Sequence, residues 1–337
     1  MNKKISILGL FIAFSAILLN SCKKNDSDTV NYEESVVVAN RGAGSISFID
    51  PNSNMVTRTL SIAGSEPMYV VYVAANDRLY VGDRAGKKVH IVNPNSKVVE
   101  SAITVGNGVF HMWADGQGKQ LWVNNDVDNT ISVIDLKTNT VTNTIKLDMK
   151  PHDVFLTKDG TKAYVSILNS VATSPDKIYM YSTSNFTKTA EVNVGKDPHL
   201  YHLSNSNKLF VPCQSGQVYT LNGDNLSVSS NNAFVGAHGI FPAPNQNTVF
   251  VTNISGAQLY SINASTNAQN GNALASISAT PHNLVVNEAG NKLFVTHSGA
   301  TASTVSTYTV NGTTLSAGSS IATATNPFGI AYYKRKI

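Results

Sequence analysis

The chain has 337 residues, of which 14% are charged and 42% hydrophobic, with a formal net charge of +4. That length can bury an ample core without disulfide staples, and so weak a charge gives little support for nucleic-acid binding, which calls for a clustered basic face and is not expected here. Abundant Val, Ile, Thr, Tyr and Phe among Asn, Ser and Gly make the composition β-like.

Residues 1–21 open with Lys3 and Lys4, continue with an apolar run from Ile5 to Leu19, and end in Asn20-Ser21 before Cys22. The run is short for a membrane span and has the layout of a secretory signal. Leu19-Asn20-Ser21-Cys22 resembles the lipobox of bacterial lipoproteins, although Asn is an uncommon second residue. The resemblance implies cleavage before Cys22 and lipidation of that residue. Residues 22–32 are polar and aperiodic and read as a flexible tether. Lys23 after the cysteine implies an outer-membrane lipoprotein, facing either the periplasm or the cell surface. Loss of the signal leaves 23 Lys and Arg against 21 Asp and Glu, so the pI carries little information about partners. The cluster Lys334-Arg335-Lys336 reads as a solvated tail. With Cys22 acylated, Cys213 is the remaining thiol and no intrachain disulfide can form.

Residues 33–337 are built on a repeat of about 43 residues. A well-defined copy starts at Pro151-His152-Asp153, passes a turn at Asp159-Gly160 and continues into Ala163-Tyr164-Val165; Pro281-His282 and Pro67-Met68 open parallel copies. Each unit predicts four short strands. The turns after the third strand, Asp50 to Asn54, Asn93 to Lys97, Asp135 to Asn139 and Asn263 to Asn267, share Asn and Asp chemistry that favours local backbone bonds and left-handed geometry. Four-stranded units of this length are propeller blades, and the count gives an all-β, seven-bladed propeller. Ser35 to Ile62 supplies three strands without an inner one, and Phe328 to Lys334 supplies an inner strand alone. Together they complete one blade, so the C-terminal strand closes the ring.

Asp159-Gly-Thr-Lys-Ala-Tyr-Val-Ser166 and Leu121-Trp-Val-Asn-Asn125 resemble the YVTN repeats of YncE-like and surface-layer propellers. The resemblance spans roughly residues 33–337 and implies the fold; such propellers host binding proteins, lyases and metalloenzymes. Pro212-Cys213 stands where Thr-Asn is usual, and Ser261 to Ala279 carries weak strand signals.

Five histidines fall near the start of successive inner strands: His111, His152, His199, His238 and His282. Closure of the ring gathers them at one mouth of the axial channel. A gapless alignment places Phe110, rather than His111, opposite His152. Residues near the end of each second strand belong to the same face, among them Asp83, Cys213 and His297. Imidazoles with a thiolate or carboxylate suit copper or zinc, and Asp153 and Asp197 could fix the imidazole tautomers. The metal-ligand candidates are therefore His111, His152, His199, His238, His282, Cys213 and His297. The plain alternative is that duplication copied the histidine and that the rings merely bond water. His90 and His202 read as structural, and Trp113, Trp122, Tyr80 and Phe250 as packing residues.

HExxH, GxSxG and P-loop patterns are absent from the sequence, and Asp126-Val-Asp128 lacks the glycine and distal glutamate of a calcium loop. The leading expectation is a lipid-anchored envelope protein that binds a transition metal or a metal-containing small ligand at the histidine mouth. A lyase or metal-dependent enzyme using that mouth, and an interaction scaffold for an outer-membrane transporter or envelope protein, are the alternatives.

Overall fold

The structure, a computed structural model, describes residues 30–337. The signal segment, Cys22 and its lipidation, and most of the tether lie outside the described residues. The rest forms seven four-stranded antiparallel sheets arranged as blades. In chain order their innermost strands are Pro67–Val73, Val109–Ala114, Lys150–Leu156, Tyr201–Leu203, Ala237–Pro242, Pro281–Val286 and the closing strand Pro327–Lys336. The last pairs with Tyr32–Asn40, so the final residues of the chain complete the blade begun by the first strands.

Burial changes radially. The second strands are almost wholly buried, as in Gln120–Asn125, whereas the outermost are mostly exposed, as in Met55–Ser61. The hydrophobic layers lie between blades: Trp122, Ile131 and Val133 of one blade pack with Val154, Val165 and Tyr179 of the next. The expected left-handed turns are present at Asn54, Lys97, Asn139 and Asn267, with φ between 53° and 60°. Asp135 accepts the amides of Lys137 and Thr138 at 2.9 and 2.8 Å, which fixes one of these turns. The weak blade is the expected one, its outermost strand reduced to Leu274–Ala275.

One expectation fails at the C-terminus. Lys334 and Arg335 are not a solvated tail: Arg335 pairs with Glu33 at 3.0 Å and Asp77 at 2.7 Å, and Lys334 reaches Glu288 at 2.7 Å. Strand alternation puts Arg335 on the face of buried Tyr333 and Lys334 on the opposite one.

Candidate metal centre

In six of the seven inner strands the ladder slips by one residue near its start. Pro151 faces Ile167 and Val154 faces Val165, so His152 and Asp153 together oppose Ser166. This is a β-bulge, which leaves an extra residue unpaired and re-aims its side chain. At three of the six bulges a hydroxyl on the second strand takes up the freed amide: Asp153 donates to Ser166 Oγ at 2.8 Å, Gly239 to Thr252 Oγ1 at 2.8 Å and Asn283 to Thr296 Oγ1 at 3.1 Å. The strand through His199 keeps regular register. Pro212 stands there in place of the hydroxyl residue, and Leu200 N–H donates instead to the Asp153 carboxylate of the neighbouring blade at 2.9 Å.

The first residue of each pair faces the axis. Those positions hold Met68, Phe110, His152, His199, His238, His282 and Phe328. Their aromatic rings follow one another at centroid spacings of 5.0 Å (Phe110–His152), 4.8 Å, 3.9 Å, 4.7 Å and 4.1 Å (His282–Phe328). The mouth is therefore half imidazole and half apolar. His111 takes the second position, the counterpart of Asp153, as the gapless alignment indicated. It stacks on Tyr69 at 3.7 Å and lies 5.2 Å, ring to ring, from His199.

Asp153 organises the cluster. One oxygen lies 2.9 Å from His111 Nδ1 and the other 3.6 Å from His199 Nδ1. That leaves the Nε2 atoms to converge: those of His152 and His199 are 3.3 Å apart, and His111 Nε2 is buried without a hydrogen-bond partner. Ligand atoms of His111, His152 and His199 lie within 4.8 Å of one another, and so do those of Asp197, His199 and His238. A tetrahedral ion with Zn–N bonds near 2.0–2.1 Å has ligand nitrogens about 3.3–3.4 Å apart, which matches the His152–His199 separation. A carboxylate behind a metal-binding imidazole is the usual outer-shell partner. Asp197 approaches His152 Nε2 at 3.1 Å from a left-handed backbone, φ 55°, just before the strand.

Burial sets the charge of these groups. It pushes His152 down to about 3, against the opposing pull of Asp197, and holds His111, His238 and His282 below the ordinary imidazole value. Asp153 moves below its usual range because the His111 ring and hydrogen bonds outweigh its own desolvation. His111, His152, His238 and His282 are thus neutral at pH 7, the state a metal requires.

Three candidates are not brought into the cluster. Cys213 shares the face but is fully buried, with Sγ 3.6 Å from the Val211 carbonyl, and burial pushes its thiol far up. His297 uses both ring nitrogens, at 2.9 Å from the Ala279 carbonyl and 2.8 Å from Ser306 Oγ. Asp83 accepts the amides of Glu66 and Gly86 and sits 3.0 Å from His90. These positions, with Asn40, Asn125 and Asn253, brace the turn after the second strand rather than face the axis. Two polar members of the site were not anticipated. Asn283 bonds Tyr69 Oη at 3.1 Å and approaches His282 Nδ1 at 2.8 Å, and both Asn283 and Tyr69 are second bulge residues. His90 and His202 are structural, each held at its ring by Asp83 or Asn207. Asp126 is engaged by Arg84 at 2.9 Å and Lys150 at 3.2 Å, which suits a turn and not a calcium loop.

Comparison with known proteins bears on the fold. A search of curated proteins returns no match. Kuenenia stuttgartiensis hydrazine synthase is similar at 14% identity and TM-score 0.68, over 80% of this chain and 90% of that one. A putative 6-phosphogluconolactonase from Bacteroides fragilis NCTC 9343 is similar at 14% identity and TM-score 0.72, over 89% and 98%. A functionally unknown protein from Desulfotomaculum acetoxidans DSM 771 follows at 14% identity and TM-score 0.55, over 86% and 80%. At such identity the likeness extends to the fold alone. Residues 61–220 match the family model of YNCE-like beta-propellers. That match, over just under half of the chain, and the seven-bladed ring support a likeness to the YncE-like propellers.

Proposed function

We propose that this propeller is a lipid-anchored cell-envelope binding protein whose imidazole mouth captures a copper or zinc ion, or a small ligand that carries one. The observation that supports it best is the trio His111, His152 and His199. Their ligand atoms lie close together, and Asp153 occupies the Nδ1 side of two of the rings. A buried Nε2 without a partner is costly unless something binds it. Both oxygens of Asp153 are already bonded, to Val154 N–H at 2.7 Å and Leu200 N–H at 2.9 Å. That suits a positioning carboxylate better than a general base, and so favours binding over turnover.

Protein purified without a histidine tag should take up about one zinc or copper ion per chain, measured by calorimetry and elemental analysis. His111→Ala, His152→Ala and His199→Ala should each weaken uptake by at least about tenfold. Uptake that all three substitutions leave unchanged would sink the metal reading. The anchor is tested separately, by incorporation of labelled fatty acid that Cys22→Ser should abolish.

A further inference from the structure

The channel has a second mouth, on the face of the turns between first and second strands, and it differs chemically from the histidine end. Two ladder positions beyond the imidazole ring, about 7 Å along a strand, the inner strands carry Trp113, Phe155, Tyr201 and Phe241. These side chains wall one side of a cavity of about 370 Å³ whose other side is mainly aliphatic, including Val71 and Val285, with Tyr72 and Tyr332 at its edge. Trp113 lies on Phe155 at 4.4 Å with planes 26° apart, and Tyr201 meets Phe155 at 4.8 Å and Phe241 at 5.2 Å. Trp113 was expected to serve packing alone. Trp122, Tyr80 and Phe250 do so, being fully buried, whereas Trp113 is only half-buried and borders the cavity.

The rim holds few charges. Asp115 is turned to the backbone, accepting the amides of Gln117, Lys119 and Gln120 at 2.7, 3.0 and 2.6 Å. Lys158 is exposed, its stem lies against Gly116, and it forms no ion pair among the described residues. Tyr201 is half-buried, and desolvation raises its phenol above its ordinary range, so it stays a neutral donor. The volume falls within the range of small-molecule sites, which combine apolar walls with a few placed polar groups.

We infer that this second mouth binds a small planar aromatic carboxylate, its ring received by the Trp113, Phe155, Tyr201 and Phe241 wall and its anionic group by Lys158. The aromatic wall selects a flat π-system over an aliphatic one of equal size. The uncompensated ammonium selects an anion over a cation. The inference does not depend on whether the histidine end holds a metal.

Calorimetric titration of the full chain with naphthalene-2-carboxylate tests it, against cyclohexanecarboxylate and naphthalene-2-methylammonium as comparison probes. Naphthalene-2-carboxylate should bind at least about tenfold more tightly than either. Lys158→Gln, on the exposed rim and with unchanged thermal unfolding, should weaken it about fivefold, as befits one partly solvated charge. Tyr201→Leu should weaken it by about tenfold or more. His152→Ala and His199→Ala should leave it unchanged, which separates this site from the metal centre. No binding at about 1 mM, equal binding of the ammonium probe, or a Lys158→Gln variant that binds as the parent overturns the inference.

Discussion

Asp153 shows how little separates a structural carboxylate from one that tunes a site. Its neighbour in sequence is His152, yet the bulge sends the two side chains apart, and Asp153 meets His111 and His199 instead. Asp153→Asn should keep one acceptor oxygen for the amides while losing the charge that orients two imidazoles. Zinc or copper affinity should then fall by about 10–100-fold with the fold intact, read by competition with a chromophoric chelator. Cys213 predicts the opposite behaviour. Its buried thiol should resist thiol reagents until the protein unfolds, and Cys213→Ala should leave metal affinity unchanged. Both results follow from where the side chains sit, since residue type alone made Cys213 a ligand candidate.

Under two of the bulges, the hydroxyls of Thr252 and Thr296 also reach the next blade. Thr296 Oγ1 accepts the Asn283 amide at 3.1 Å and donates to the Phe328 carbonyl of the next blade at 2.8 Å. Thr296→Val conserves shape and leaves both buried groups unpaired, so it should lower stability by about 1–3 kcal/mol in urea unfolding. His297 ends the same strand where three other blades use asparagine, Asn40, Asn125 and Asn253. Burial holds its ring below the ordinary value of 6.5. The unfolded ring therefore binds a proton below about pH 6.5 while the folded ring does not. Its contribution is present in full above that pH and declines as the pH falls toward the folded value. His297→Asn should retain the fold and flatten that part of the stability profile, measured by urea unfolding between pH 7 and 5. The strands, turns and blade count were legible because alternation and Asn/Asp turn chemistry repeat with the blade. The bulge was not legible, since it inserts one residue without changing residue type.

At the scale of the whole ring, closure rests on one strand. Pro327–Lys336 pairs along Tyr32–Asn40 and covers an edge that would otherwise be free. The need for this strand was visible from blade arithmetic, but its clasp was not, because three consecutive basic residues resemble a solvated tail until strand alternation sorts them. Arg335 reaches Glu33 on the first strand and Asp77 in the adjacent blade, while Lys334 turns to Glu34 and Glu288 on the other side. The clasp thus ties three blades rather than two. Removing residues 327–337 should remove cooperative unfolding and leave an aggregation-prone chain, whereas Arg335→Leu should keep the ring. The single substitution leaves Glu33 its Lys97 partner and Asp77 the Tyr72 hydroxyl, and both carboxylates are partly solvated, so its cost should be about 1–3 kcal/mol, short of a fully buried pair. Differential scanning calorimetry separates the cases: one sharp transition at lower temperature for Arg335→Leu, and none for the truncation. A truncated chain that still melts in a single sharp transition would show that the ring holds without its final strand.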